Sequence, residues 1–226
     1  GPMKALSGIR RREVAPGLVL DDGRLELTDD ADLGDPLLVL RYAASAARHD
    51  AYLQRGSLER LADHAEPLPV PWPAEARGLF VDLLAAGPAA IPVIEDLDQV
   101  GLFVLLVPEW EPCRSRPQRN AYHRFTVDRH LMEAAAEASR LVGQVERPDL
   151  LLVGALFHDI GKGYPGDHTV VGVDLLTTIA ARMGYEGDDV DLLVAMVEHH
   201  LLLPDVATRR DLDDNGTIRQ VADAVG

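Results

Sequence analysis

His158-Asp159, in the run Leu-Phe-His-Asp-Ile-Gly-Lys (156–162), constrains this fold more than any other feature. An imidazole and a carboxylate side by side, late in an apolar segment, can both point at one metal ion. His130, His168 and the pair His199-His200 stand around them, so five of the eight histidines fall between positions 130 and 200. A lone histidine on an apolar helix face is more often a hydrogen-bonded core residue than a ligand. Five together, one beside an aspartate and two adjacent among leucines, point instead to a metal-dependent hydrolase. For such a site to form, the segments that carry these side chains must pack side by side.

The periodicity supplies those segments. From about Val127 it is helical almost to the end, with helices expected at 127–143, 148–159, 168–183, 188–202 and from about 215. Gly143, Gly184 and Asn215-Gly216 provide stops and turns between them. Upstream, a helix is expected from Asp35-Pro36 to about His49, and shorter ones near 57–64, 74–86 and 88–98. The proline-rich stretch 66–73 must be an extended connector, because proline cannot sit inside a helix. A second irregular segment covers 108–118. Residues 14–28 hold two short apolar-alternating runs flanking Asp21-Asp22-Gly23, which read as a small β-hairpin. The class is therefore mostly all-α, with a helical core at 118–226 behind a helical extension and linker region at 3–117. Gly1-Pro2 ahead of Met3 reads as a protease-cleavage scar outside the fold.

Charge and cysteine content narrow the partners. The chain carries 37 acidic against 22 basic side chains and a net charge of −15, which argues against nucleic acid, since phosphate needs a basic surface. No apolar run approaches the ~20 residues of a membrane span. The single cysteine, Cys113, excludes an internal disulfide and fits a reducing cytoplasm. Lysine occurs only twice, as Lys4 and Lys162, against 20 arginines. Codon bias with one chance survivor would explain that. The sharper reading is that a compact ammonium is needed three residues after Asp159, where a guanidinium would be too large.

Ligand atoms must converge to within ~2.0–2.2 Å of an ion, and His130, His158, Asp159, His168, His199 and His200 sit on different expected helices or their ends. Asp159 has two oxygens and can bridge a pair of ions about 3.5–4 Å apart. A histidine-rich, carboxylate-bridged site accepts Mn, Mg, Fe, Co or Zn. His49 and His64 fall outside this set as surface or capping residues. His123 is read as a structural or supporting neighbour of His130.

These residues resemble the HD phosphohydrolase superfamily, whose pattern is His … His-Asp … Asp. The stretches 118–130 (Gln-Arg-Asn-Ala-Tyr-His-Arg-Phe-Thr-Val-Asp-Arg-His), 158–163, 198–201 and 206–214 are similar to the central region of the bacterial PII uridylyltransferase/uridylyl-removing enzymes. The segments 106–111 and 71–73 extend that likeness upstream. The resemblance implies an HD-domain helical bundle that removes UMP or AMP from a tyrosine of the PII nitrogen-signalling protein. It also implies that His130, His158, Asp159 and a late aspartate hold one ion. Asp211 follows the histidine pair by about the family's distance. Asp213 and Asp214 also fit, or else cap the helix that begins near 215. Two-metal members add histidines matching His168, His199 and His200, with Asp159 bridging. Asp159 and Lys162 would be the catalytic residues. No Asp-x-Asp follows Gly56-Ser57 at a suitable distance, so the family's nucleotidyl-transfer motif is absent here. Two other functions compete: an HD phosphohydrolase acting on a small or cyclic nucleotide, and a non-catalytic nucleotide-binding regulatory module.

Overall fold

The structure is a computed structural model that describes residues 11–118, 125–209 and 215–225. The chain divides into two units after Pro108, so residues 109–117 go with the helical unit that follows.

In the first unit the expected hairpin forms from β2 (Leu18–Asp21) and β3 (Arg24–Leu27), with Leu18 opposite Leu27 and Asp21 opposite Arg24. Asp22 and Gly23 make the two-residue loop at φ 46° and 75°, the positive-φ turn that matches the twist of paired strands. Two further strands were not expected. β1 (Arg12–Ala15) pairs antiparallel with β2, and the two-residue β4 (Tyr52–Leu53) pairs parallel with β3 after a helical crossover. That crossover is α1 (Leu38–Arg48), whose run of buried alanines lets it lie close to its neighbours. Tyr42 on α1 is fully buried, and its hydroxyl donates to the Leu25 carbonyl at 2.9 Å while accepting from the Gln54 amide at 3.0 Å. One hydroxyl thus pins the helix to β3 and to the turn after β4. The helices α2 (Arg55–His64), α3 (Ala74–Ala85), α4 (Ala90–Gln99) and α5 (Leu102–Leu106) follow, the last unforeseen. Residues 66–73 are without helix or strand, as their prolines require. No single helix among the described residues is long and apolar enough to cross a membrane.

A 3-10 helix at Pro108–Cys113 leads into the second unit, which continues through α6 (Val127–Ala138), α7 (Pro148–Phe157), α8 (His168–Met183), α9 (Asp188–Glu198), α10 (Leu202–Arg209) and α11 (Asn215–Val225). The helix expected over 127–143 becomes α6 followed by a 3-10 turn at Ser139–Gln144, where the Ser139 hydroxyl donates to the Ala136 carbonyl. The helix expected over 188–202 stops at Glu198 and restarts as α10. Pro204 accounts for the restart. A continuous helix would put its ring against the carbonyl four residues back, at His200, and would leave that carbonyl without a donor. The break places His199 and His200 between two helices.

α7 is the central element. Leu152, Val153, Leu156 and Phe157 are all fully buried, so apolar burial rather than amphipathic patterning holds this helix in place. α8 is anchored at its far end by a bidentate ion pair, in which the Arg182 guanidinium meets Glu109 at 2.9 and 2.5 Å and both side chains are largely buried. Cys113 is buried, and its thiol faces the Ile160 carbonyl at 3.4 Å. Burial pushes that thiol up to about 12. Cys113 is therefore expected to stay unlabelled by iodoacetamide at about pH 8 in the native protein and to react once urea unfolds it. Rapid native labelling by mass spectrometry would contradict this packing.

Candidate metal centre

Asp159 sits where α7 ends. His158 still has helical dihedrals, whereas Asp159, at φ −121° and ψ 17°, turns the chain out of the helix and into a 3-10 turn at Ile160–Gly163. Both glycines of that turn are required by close approach. A Cβ on Gly161 would collide with the His168 carbonyl oxygen at the start of α8, and one on Gly163 would meet the Cys113 sulfur at 2.6 Å. The motif is thereby held between α8 on one side and the strap 112–116 on the other. α8 begins beside it because Asp167 caps the helix, accepting from the Thr169 and Val170 amides at 2.9 and 3.2 Å. His168, the first helical residue, is thus delivered to Asp159.

The Asp159 side chain is only 3% exposed, and each of its oxygens has its own set of neighbours. Oδ2 faces His130 Nε2 at 3.3 Å, His158 Nε2 at 3.4 Å and Lys162 Nζ at 2.5 Å. Oδ1 faces His200 Nε2 at 3.3 Å and His168 Nε2 at 3.8 Å. The four rings stand edge to face in a chain, His130 to His158 at 5.1 Å, His158 to His200 at 5.6 Å and His200 to His168 at 5.5 Å.

Backbone carbonyls select the imidazole tautomers. His158 Nδ1 lies 2.8 Å from the Ala155 carbonyl and His200 Nδ1 lies 2.6 Å from that of Val197. A carbonyl only accepts, so each Nδ1 carries the hydrogen. In the neutral ring each Nε2 is then the unprotonated nitrogen, whose lone pair is available to a cation placed between it and Asp159. Burial alone would raise the Asp159 pKa, yet the facing imidazoles of His130, His158 and His200 outweigh it and hold the carboxyl well below the usual carboxylate range. Burial alone would lower the His200 pKa, but the Asp159 carboxylate and the Val197 carbonyl hold it above the ordinary value.

These donors fit divalent metal. Asp159 Oδ1, His168 Nε2 and His200 Nε2 are buried and have no hydrogen-bond partner among the described residues. Buried polar atoms left in that state are costly unless a ligand satisfies them. Two groups, His130/His158/Asp159 and Asp159/His168/His200, each keep their ligand atoms within 4.8 Å of one another, and Asp159 is common to both. His199, half-buried at the end of α9, belongs to neither group. Asp211, Asp213, Asp214 and His123 lie outside the described residues. His49 caps the end of α1, and His64 is exposed with Nδ1 on the Arg60 carbonyl.

Sequence reasoning did not single out Gln118. Its Oε1 lies 3.4 Å from Lys162 Nζ, and its Nε2 donates to the Phe125 carbonyl at 3.3 Å. The contact with Lys162 spans 44 residues, and no local pattern signals it.

Residues 122–225 match the family model described as the HD domain. A bifunctional uridylyltransferase/uridylyl-removing enzyme of Streptomyces coelicolor is 52% identical over 217 residues, covering 96% of this chain and 26% of that protein. Enzymes of the same description from Mycobacterium tuberculosis and Corynebacterium glutamicum are 45% and 35% identical, over 100% and 98% of this chain. The chain spans 26%, 28% and 32% of these three relatives, so it corresponds to a portion of each.

Proposed function

The chain belongs to the HD-domain family through residues 122–225, and from that premise we propose that its centre hydrolyses a nucleotidyl–tyrosine phosphodiester on the PII nitrogen-signalling protein. The product is UMP or AMP, and the setting is the bacterial cytoplasm. The observation that carries the reading is the division of the Asp159 carboxylate, one oxygen to His130 and His158 and the other to His168 and His200. A carboxylate so placed could be shared by two ions, and the likeness to uridylyl-removing enzymes supports the substrate class. Of the late aspartates, Asp211 is proposed to complete the first group, and His199 to support the second.

When bound at these groups, divalent ions supply Lewis acidity and lower the pKa of water from its bulk value towards about 7. The chain's own residues do the rest. Asp159 and the neutral imidazoles provide the donors. Lys162, with its side chain 23% exposed at the mouth of the site, offers an ammonium to the phosphoryl oxygens as negative charge grows on them. Hydrolysis places the hydroxyl of water on phosphorus and breaks the bond from phosphorus to the tyrosyl oxygen. Tyrosine has a pKa near 10, so its oxygen leaves without a strong general acid and takes up a proton afterwards.

The test is incubation with nucleotidylated PII, reading released nucleotide by mass and following bis(p-nitrophenyl) phosphate in parallel. Release is expected, and chelation with EDTA should abolish it, with recovery when Mn is restored. Turnover of bis(p-nitrophenyl) phosphate without release from modified PII would move the assignment to a small-nucleotide phosphohydrolase. Inactivity on both would favour a regulatory module.

A further inference from the structure

We propose that Gln118 is a positioning residue that sets the direction of the Lys162 ammonium. The inference rests on the hydrolase reading above, in that it takes Lys162 as the group that meets the phosphoryl oxygens. A lysine beside a buried carboxylate tends to collapse onto it, and Lys162 Nζ is already 2.5 Å from Asp159 Oδ2. With all of its hydrogens turned inward, an ammonium would serve the ligand carboxylate and nothing else. Gln118 Oε1 offers a second acceptor 3.4 Å away on a different element. Two fixed acceptors hold two N–H bonds, and the tetrahedral geometry of the ammonium then fixes where the third one points.

Gln118 can do this because its own orientation is locked. Its Nε2 donates to the Phe125 carbonyl, so Oε1 must face Lys162. The reversed amide would set oxygen against a carbonyl oxygen and NH2 against an ammonium, which is unfavourable at both ends. The backbone leading to it is held as well. Arg116 Nη1 donates to the Gly163 carbonyl at 2.5 Å, next to Lys162 in sequence, and the Arg116 carbonyl accepts from the Val127 amide at 2.9 Å. The Ser115 amide donates to Asp128 Oδ2 at 2.7 Å. The strap that carries Gln118 is therefore tied both to the turn bearing Lys162 and to the helix bearing His130. None of these ties needs the Gln118 side chain, so removing its amide should leave the strap in place.

The experiment is a double-mutant cycle on bis(p-nitrophenyl) phosphate, with UMP binding by calorimetry as a readout independent of turnover. Gln118→Leu is expected to lower kcat about tenfold or more, the worth of one hydrogen bond to a charged group, with KM within about twofold. It should weaken UMP binding by a similar factor. In the Lys162→Met background the same change should lower neither quantity further, because a residue acting through Lys162 has nothing left to position. Equal losses in both backgrounds, or no loss in the parent, would overturn the inference. Coupling on bis(p-nitrophenyl) phosphate without release from modified PII would strike the substrate assignment alone. Release from PII without coupling would strike Gln118 alone.

Discussion

Asp159→Ala is expected to cut phosphodiester hydrolysis about a thousandfold or more, since a metal centre contributes several kcal/mol to the barrier and each 1.4 kcal/mol is about tenfold. The carboxylate is the anionic ligand of both groups, each of which otherwise consists of two imidazoles. Among the described residues, removing it leaves four rings and the Lys162 ammonium with no carboxylate between them, so the second group keeps no anionic ligand and the first only the proposed Asp211. Metal content by inductively coupled plasma measurement should fall close to zero, where single loss of His168 or His200 should spare the other group. The fold should survive, because α7 is held by Leu152, Val153, Leu156 and Phe157 and owes little to the carboxylate. Asp159→Asn keeps the shape and removes the charge, so it separates electrostatics from packing. Linkage gives a further sign. The folded pKa of Asp159 lies below its unfolded value, so its contribution is complete above about pH 4 and is lost as pH falls further. Metal-free protein should lose stability in acid, and Asp159→Asn should flatten that loss. A variant without the carboxylate that kept activity within tenfold of the parent would sink the assignment.

The parts of this centre that were legible in the sequence are those written locally. The adjacency of His158 and Asp159 places both at one helix end, and the helix expected over 168–183 makes His168 its first residue. The hairpin was legible because Asp22-Gly23 can adopt the positive φ its turn demands. What sequence could not supply was distance between elements. His199 and His200 are chemically identical neighbours, and only the chain break after Glu198 decides which ring turns towards Asp159. β4 has two residues and depends on pairing with β3, too short a run for periodicity to reveal. Gln118 has no local signature at all. Its role arises from contacts between the strap and the turn at 160–163, which lie 44 and 47 residues apart in the chain. The cluster of histidines around the His-Asp pair can thus be read as a candidate site before the structure, with four of the five rings gathered at Asp159, while the way it is braced cannot.

Gly161→Ala tests that bracing, and its expected effect is out of proportion to one methyl group. The added Cβ would collide with the His168 carbonyl oxygen and lie 2.8 Å from the Gly172 amide nitrogen. Both are backbone atoms of α8, so no side-chain rotation can make room. α8 cannot simply retreat, because its Gly172 already lies close enough to α9 that a Cβ there would come within 3.1 Å of Val197. Its far end is tied to Glu109 through Arg182. The strain should appear as a loss of about 3 kcal/mol or more, and as a fall of about 6 °C or more in melting temperature. Gly78→Ala is the control. Gly78 is an exposed position inside α3 with nothing within 4 Å of an added Cβ, and there alanine should stabilise by about 0.5–1 kcal/mol. The site should register the first change and not the second. Any movement of α8 carries His168 away from Asp159 Oδ1, where it now stands at 3.8 Å. Gly161→Ala should therefore bind fewer ions than the parent even at temperatures where it is fully folded. Parental metal content and melting temperature in that variant would mean that the turn and α8 are not in contact as described.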